Sequence, residues 1–499
     1  MLNRNKLPRS KPEDQGASSQ GILDFIEAIE TNQWELHSLM ILKHGHVIAE
    51  GWWSPYRPEY SHMLFSLSKS FTSTAIGLAV SEGRLSVEDK VVSFFPEFAA
   101  AETDARLHAL RVRDLLTMSD GHKIGTNGRI WRQNKESWAE AYLRLPLDYE
   151  PGSAYVYNSG ASYMLSAILH KVANQSTLDY LQLRLFQPLG IEGAKWEACP
   201  SGIHVGGWGL SLKTEDIAKF GQLYLQEGVW KEQRLLPREW IKAATSKHID
   251  NDEQGYGYQF KLCKFNGYRG DGAFGQFCIV LPDLDAVIAI TGGYEQMAGV
   301  LDKVGEHLLL ALYSESTESI DMQGKDTLTK GKEAYAQGRD TLELYSKLAS
   351  LAYKPLIPIL FNSSMPVFSG ERYELEENAE DWQFVSFEWQ EDGISFTVWD
   401  DLGEHHIVCG LGEWVERETT LNRNISHTQL YEEPALRIAA CCNWSSENTF
   451  IMVWRFVETT FCETMTCCFG ESGRLILSST LNVYHSGTEA LPSIHGKIC

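Results

Sequence analysis

From about Phe368 to the C-terminus the chain alternates with period two, and few folds accept that pattern. Val385-Phe387-Trp389, Ile394-Phe396-Val398 and Phe450-Met452-Trp454-Phe456 each set apolar side chains on one face of an extended segment. Turn residues recur about every ten positions. Many short strands need their edges paired, and closure into an all-β barrel does this. No internal repeat suggests a propeller. Residues 368–499 are therefore read as a closed β-barrel, in which His405-His406 is a strand pair rather than a metal site.

The first 313 residues follow another pattern, and a chain of 499 residues is expected to hold two domains. Gly21 to Ile29 reads as a helix. Leu39 to Leu42 and Val47 to Trp53 read as a hairpin turning at His44-Gly45-His46. An apolar run from Phe71 to Val80 is opened by serines and stopped by Glu82-Gly83, as a buried helix would be. Residues from about 86 to 235 read as an all-helical subdomain, with helices over Leu110–Leu116, Ser162–Val172, Tyr180–Phe186 and Thr214–Leu225. Strand signals return at Tyr256–Lys261, Phe277–Leu281 and Ala286–Thr291, and a long apolar helix over Met297–Tyr313 follows. The expectation is an α/β (α+β) domain over 1–313 built on a five-stranded antiparallel sheet flanked by helices. Residues 314–367 read as a linker, polar over Ser314–Gly338, with a short helix at Thr341–Ala352.

The helix that begins near Ser66 carries the chemistry. Ser66 and Lys69 are three apart and share a face. A hydroxyl held beside a partly buried amine is a nucleophile–base pair. The motif is weak alone, since about two Ser-x-x-Lys are expected by chance in a chain this long. Here Ser66–Lys69 is the only one. Other chemistries lack their signatures: there is no Gly-x-Ser-x-Gly, His-Glu-x-x-His, Cys-x-x-Cys, Walker or dinucleotide motif. No metal or cofactor is expected. The net charge of −22 argues against nucleic acid and anionic membrane surfaces as partners. The first eight residues lack the apolar core of a signal peptide, which sets the expectation of a cytoplasmic protein. The adjacent cysteines Cys441-Cys442 and Cys467-Cys468 should each split between core and surface.

Two later segments complete the pattern: Pro151-Gly152-Ser153-Ala154-Tyr155-Val156-Tyr157-Asn158-Ser159-Gly160 and Gly270-Asp271-Gly272-Ala273-Phe274-Gly275-Gln276. In this order and spacing, with Val112 to His122 and Gly209 to Asp216 in support, the chain resembles the serine β-lactamase and penicillin-binding-protein superfamily over about residues 7–312. The likeness is to the class C-like branch of esterases, D-aminopeptidases and aminohexanoate-oligomer hydrolases. The resemblance implies Ser66 as the acylated nucleophile, Lys69 as its proton partner and Tyr157 as the catalytic tyrosine. It also implies Ala273 N–H as an oxyanion donor beside the Ser66 N–H, with Asp271, Gly272 and Ser159 lining the substrate site. The family's Tyr-x-Asn stands here as Tyr157-Asn158-Ser159. No cation stands within Gly270-Asp271-Gly272, so firm binding of a substrate carboxylate is not expected. Two proton arrangements stay open: a neutral Lys69 acting as base, or a charged Lys69 holding Tyr157 as phenolate. Neutralising an ordinary lysine at pH 7 costs about 4.6 kcal/mol.

The barrel resembles lipocalin-like domains appended to some D-aminopeptidases, with roles in walling the site, limiting substrate size or forming a homo-oligomer. The expected substrates are small esters, amides or short peptides. Trp131, in Gly128 to Arg132, is a candidate for a loop over the cleft. A β-lactamase or cell-wall peptidase, and a non-catalytic binding descendant, are the competing readings.

Overall fold

The computed structural model describes residues 6–98, 104–126, 137–264, 266–313, 341–357, 370–421, 435–484 and 492–499. Trp131 and the segment Ser314–Gly338 lie outside the described residues. Two compact units emerge. One comprises Met1–Gly51, Met63–Gly292 and Gln296–Ser350; the other comprises Trp52–His62, Gly293–Glu295 and Leu351–Cys499.

The first unit opens with α1 (Ser19–Thr31), whose N-cap Ser18 accepts from Gly21 N–H. Its apolar side, Ile22, Leu23, Phe25, Ile26 and Ile29, is buried. At Gly21 an added Cβ would stand 2.7 Å from the Ala311 Cβ, so glycine lets α1 close on the helical run over 297–312. That run carries one π turn, Val304–Leu308.

The sheet has six strands rather than the expected five: β1 (Leu36–Lys43), β2 (His46–Trp52), β3 (Lys261–Leu262), β4 (Tyr268–Gly272), β5 (Gln276–Leu281) and β6 (Ala286–Gly292). Their order is β2-β1-β6-β5-β4-β3. The β1–β6, β6–β5, β5–β4 and β4–β3 pairings are antiparallel. Every residue of β1 and β6 is buried, as in a sheet covered on both faces. Of the expected strand at Tyr256–Lys261 only Lys261 belongs to a strand, β3; Tyr256 makes isolated bridges to Ile249 and Lys261. Gln259 stands at φ 62°, which breaks the extended run. The glycine segment 270–272 forms the end of β4.

Two buried helices pack on each other and on the sheet. In α2 (Ser68–Ser81) twelve residues from Ser68 to Ala79 are buried, and Phe71 stacks on Phe220 at 3.9 Å between ring centres. Phe220 belongs to α4 (Thr214–Leu225), with α3 (Ser159–Ala173) between them in sequence. Gly221 of α4 lies where a Cβ would meet Val287 at 2.5 Å, so α4 sits flush on β6. The region from 86 to 235 is not all-helical. Short strands at Lys195–Trp196, Leu210–Leu212, Val229–Trp230 and Gln233–Arg234 interrupt it, because the glycines at 206, 207 and 209 carry an irregular backbone into the Leu210–Leu212 pairing.

The second unit is a barrel. Its strands are β7 (Arg372–Leu375), β8 (Phe384–Gln390), β9 (Gly393–Asp400), β10 (Gly403–Leu411), β11 (Val415–Thr419), β12 (Leu436–Ser446), β13 (Thr449–Phe456), β14 (Cys462–Phe469), β15 (Arg474–Leu481) and β16 (Ile494–Ile498). The ring β10-β9-β8-β7-β16-β15-β14-β13-β12 closes where β10 meets β12 in parallel, Gly410 beside Cys441, and β11 is attached to β12. An up-and-down lipocalin barrel has eight strands; this ring has nine and one parallel seam. Aromatic rings fill it: Phe387 lies 5.2 Å from Phe396 and 6.1 Å from Phe450. Cys441 and Cys442 are both buried, against expectation, because Leu356 covers the far face and its N–H reaches the Cys441 thiol. All ten cysteines are free thiols. His405 sits in β10 between Asp400 and Thr420 at 2.9 and 2.8 Å. Among the described residues no helix is long and apolar enough to cross a membrane.

Candidate active site

Ser66 lies on a 3-10 turn, Phe65–Leu67, that leads straight into α2. Phe65 holds φ 47°, a left-handed value that costs a non-glycine residue of order 1–3 kcal/mol. Its ring meets Phe274 edge-on at 5.4 Å, and Phe274 also stands at φ 62°. Strain of this kind persists only where the surroundings fix it.

Lys69, on the first turn of α2, is 2% exposed. Its nitrogen is in hydrogen-bond contact with Ser66 Oγ at 2.9 Å, Ser159 Oγ at 2.9 Å and the Gly207 carbonyl oxygen at 2.7 Å. All three partners are neutral, and the two hydroxyls can either donate or accept. Burial first, and then the nearby charge of Lys261, hold its pKa well below the ordinary 10.5.

Tyr157 precedes Asn158, the N-cap of α3. The centre of its ring is 4.8 Å from Lys69 Nζ, and its hydroxyl is in hydrogen-bond contact with Ser66. Burial of the hydroxyl, with Tyr155 and Asp271 adding negative potential, raises its pKa above 10; the Ser66 contact opposes the rise. The residue as a whole is 40% exposed, and solvent tempers such a shift, so its direction is what the site uses. A tyrosine shifted upward is a phenol at neutral pH.

The third segment is built for close approach. At Gly272 an added Cβ would lie 2.0 Å from the Leu64 carbonyl oxygen, and at Gly270 2.4 Å from Leu67 and 2.6 Å from Ser70 Oγ. Strand β4 thus lies against the turn that bears Ser66. Ala273 follows in the β4–β5 turn, where its carbonyl accepts from Gln276 Nε2 at 3.1 Å.

A small cleft open to solvent is lined by Ser66, Lys69, Tyr157, Tyr256, Gln259, Lys261, Arg269 and Asp271. Of the residues expected from sequence, Ser66, Lys69, Tyr157 and Asp271 meet there. Ser159 joins through Lys69, while Gly272 and Ala273 shape the adjoining strand end. No cation stands within Gly270-Asp271-Gly272, as read from the sequence, but two line the cleft from outside it. Asp271 takes Lys261 at 3.2 Å and Arg269 at 2.8 Å, and Glu253 takes Lys261 at 3.1 Å and pairs with Arg269. Both cations stand outside the glycine segment, one residue before it and on the neighbouring strand, where the pairing sets Lys261 opposite Arg269. Gly207 was also missed; the run Gly206-Gly207-Trp208-Gly209 could have flagged it. Asn158 turns away from Lys69: its Oδ1 accepts from Thr126 N–H, Thr126 Oγ1 and Gly160 N–H.

The model of the family described as Beta-lactamase matches residues 28–300, more than half of the chain. A putative D-alanyl-D-alanine carboxypeptidase of Escherichia coli K12 is 30% identical over 129 residues, 24% of this chain and 30% of that protein. The 6-aminohexanoate-dimer hydrolase of Paenarthrobacter ureafaciens is 24% identical over 233 residues, 43% of this chain and 59% of its own length. The chain therefore spans less than two thirds of either relative. Among solved structures, an octameric penicillin-binding protein homologue from Pyrococcus abyssi aligns with 96% of this chain and 99% of its own, at 15% identity and a TM-score of 0.48.

Proposed function

The chain belongs to the beta-lactamase family, and from that premise we propose that it is a serine hydrolase working through an acyl-enzyme on Ser66. One observation carries this reading: a lysine 2% exposed, bonded only to neutral partners, with its nitrogen 2.9 Å from Ser66 Oγ. Of the two proton arrangements, the pKa directions favour the neutral lysine and the protonated tyrosine.

Lys69 removes the Ser66 proton as the oxygen attacks a substrate carbonyl. The oxyanion is held by the Ser66 and Ala273 N–H groups. Tyr157 passes its proton to the leaving alcohol or amine and is reprotonated from Lys69. A water then attacks the acyl carbonyl and Lys69 takes its proton; as the bond to Ser66 breaks, Lys69 returns that proton to Ser66 Oγ, and the carboxylic acid leaves. Small esters and amides, including D-amino-acid peptides and ω-amino-acid oligomers, are the proposed substrates.

With p-nitrophenyl acetate, Ser66→Ala is expected to lower turnover by at least about 10³-fold. A variant retaining a third of the wild-type rate would refute the assignment. A D,D-peptidase or β-lactamase is the second reading; Lys261 and Arg269 line the cleft, but each is paired with Asp271 and Glu253, so a substrate carboxylate would compete with those two acids for them. Release of D-alanine from a D-alanyl-D-alanine peptide, faster than ester turnover, would select it.

A further inference from the structure

The segment Thr117–His122 matched the family pattern without a role of its own, and it brackets the chain on both sides of Tyr157. The Met118 carbonyl accepts from Val156 N–H at 2.8 Å and the Ser119 carbonyl from Gly152 N–H at 2.7 Å. Met118 Sδ accepts from Asn158 N–H at 3.2 Å. At its centre is Asp120, a carboxylate with no exposed surface. Asp120 Oδ2 accepts from the Tyr142 hydroxyl at 2.5 Å and Asn158 Nδ2 at 2.6 Å, with His122 Nδ1 at 3.1 Å. Burial, then the Asp120 charge, hold the Tyr142 hydroxyl well above its ordinary pKa, so it remains a donor.

A carboxylate this deep needs its donors, and donors to a charge make the stronger hydrogen bonds. Asn158 is locked at both ends. Its amide nitrogen is held by Asp120, and its oxygen by Thr126 and the first turn of α3. Its chain neighbours are Tyr157, in contact with Ser66, and Ser159, bonded to Lys69 at 2.9 Å.

We propose that Asp120 is a positioning residue of this site: it fixes Asn158, and through Asn158 it sets the Tyr157 and Ser159 hydroxyls against Ser66 and Lys69. The proposal rests on the acyl-enzyme reading above. It touches neither substrate nor reacting atoms.

The test is a donor–acceptor exchange. Asp120→Asn removes the charge and turns an amide toward the Asn158 amide. With turnover of p-nitrophenyl acetate as readout, it should lower kcat about 30- to 100-fold, the scale of a 1 Å misplacement, while KM stays within about threefold. The double variant Asp120→Asn/Asn158→Asp restores one donor and one acceptor across the contact, and aspartate still caps α3. It should recover at least about tenfold in kcat. A purely structural role predicts instead that kcat follows the fraction folded in a thermal melt. The proposal is overturned if folded Asp120→Asn keeps kcat within about threefold of wild type, or if the exchange recovers nothing. If Asp120→Asn does not fold, Tyr142→Phe removes one donor to the same oxygen and should lower kcat about fivefold, with KM unchanged; an unaltered kcat overturns the proposal. Failure of the parent reading looks different: Ser66 of the wild type itself would then resist a fluorophosphonate probe.

Discussion

Lys69→Met should abolish most turnover, lowering kcat by about 10²- to 10⁴-fold, the range for loss of a general base. The same change should alter how stability depends on pH. Lys69 has a folded pKa well below its ordinary 10.5. Between those two values the unfolded chain binds a proton that the folded chain does not. Stability therefore rises with pH across that window and falls as pH drops through it. Methionine has no such dependence. The stability of the wild type relative to Lys69→Met, read from urea midpoints, should climb from pH 7 toward 10.5. A difference flat across that range would show that Lys69 is not depressed, and would return the role of base to Tyr157.

The second large effect is expected at Gly272. An alanine there would put its Cβ 2.0 Å from the Leu64 carbonyl oxygen, which is backbone and cannot rotate aside. Strand β4 must then move off the turn that carries Ser66. Overpacking of this kind costs about 1–3 kcal/mol. The oxyanion donors would separate as well, and a displacement near 1 Å lowers kcat about 100-fold. Gly270→Ala should be milder, because its obstacles are the tip of Leu67 and the Ser70 hydroxyl. Thermal melts and ester turnover on both variants check the ranking. A Gly272→Ala enzyme with wild-type melting and kcat would mean that β4 does not support the site.

Much of this was legible before any coordinates. The run Phe71 to Val80 could only be a buried helix, and the alternation beyond Phe384 could only be strands. Ser66 and Lys69 stood out as a pair three apart on one helix face, the family resemblance added Tyr157, and the three line one cleft. The misreadings have physical causes. Tyr256, Tyr258 and Phe260 alternate like a strand and all are buried, but Gln259 turns left-handed and its side-chain amide donates to the Leu115 and Leu116 carbonyls. Strand β4 went unread because glycine is depleted in strands; here it is required by the closeness of Leu64 and Ser70. Lys261 and Arg269 reach the cleft through a strand register that no local motif encodes. Asp120 fell within the supporting segment Val112 to His122, and only three-dimensional placement brings Tyr142 and Asn158 onto it.

The central claim is that Ser66 carries the acyl group. The direct measurement is intact-mass analysis of protein quenched during turnover of p-nitrophenyl acetate, with peptide mapping of the adduct. The account predicts one added acetyl group on the peptide containing Ser66, absent in Ser66→Ala. Turnover without an adduct, or an adduct that maps elsewhere and survives in Ser66→Ala, would contradict it.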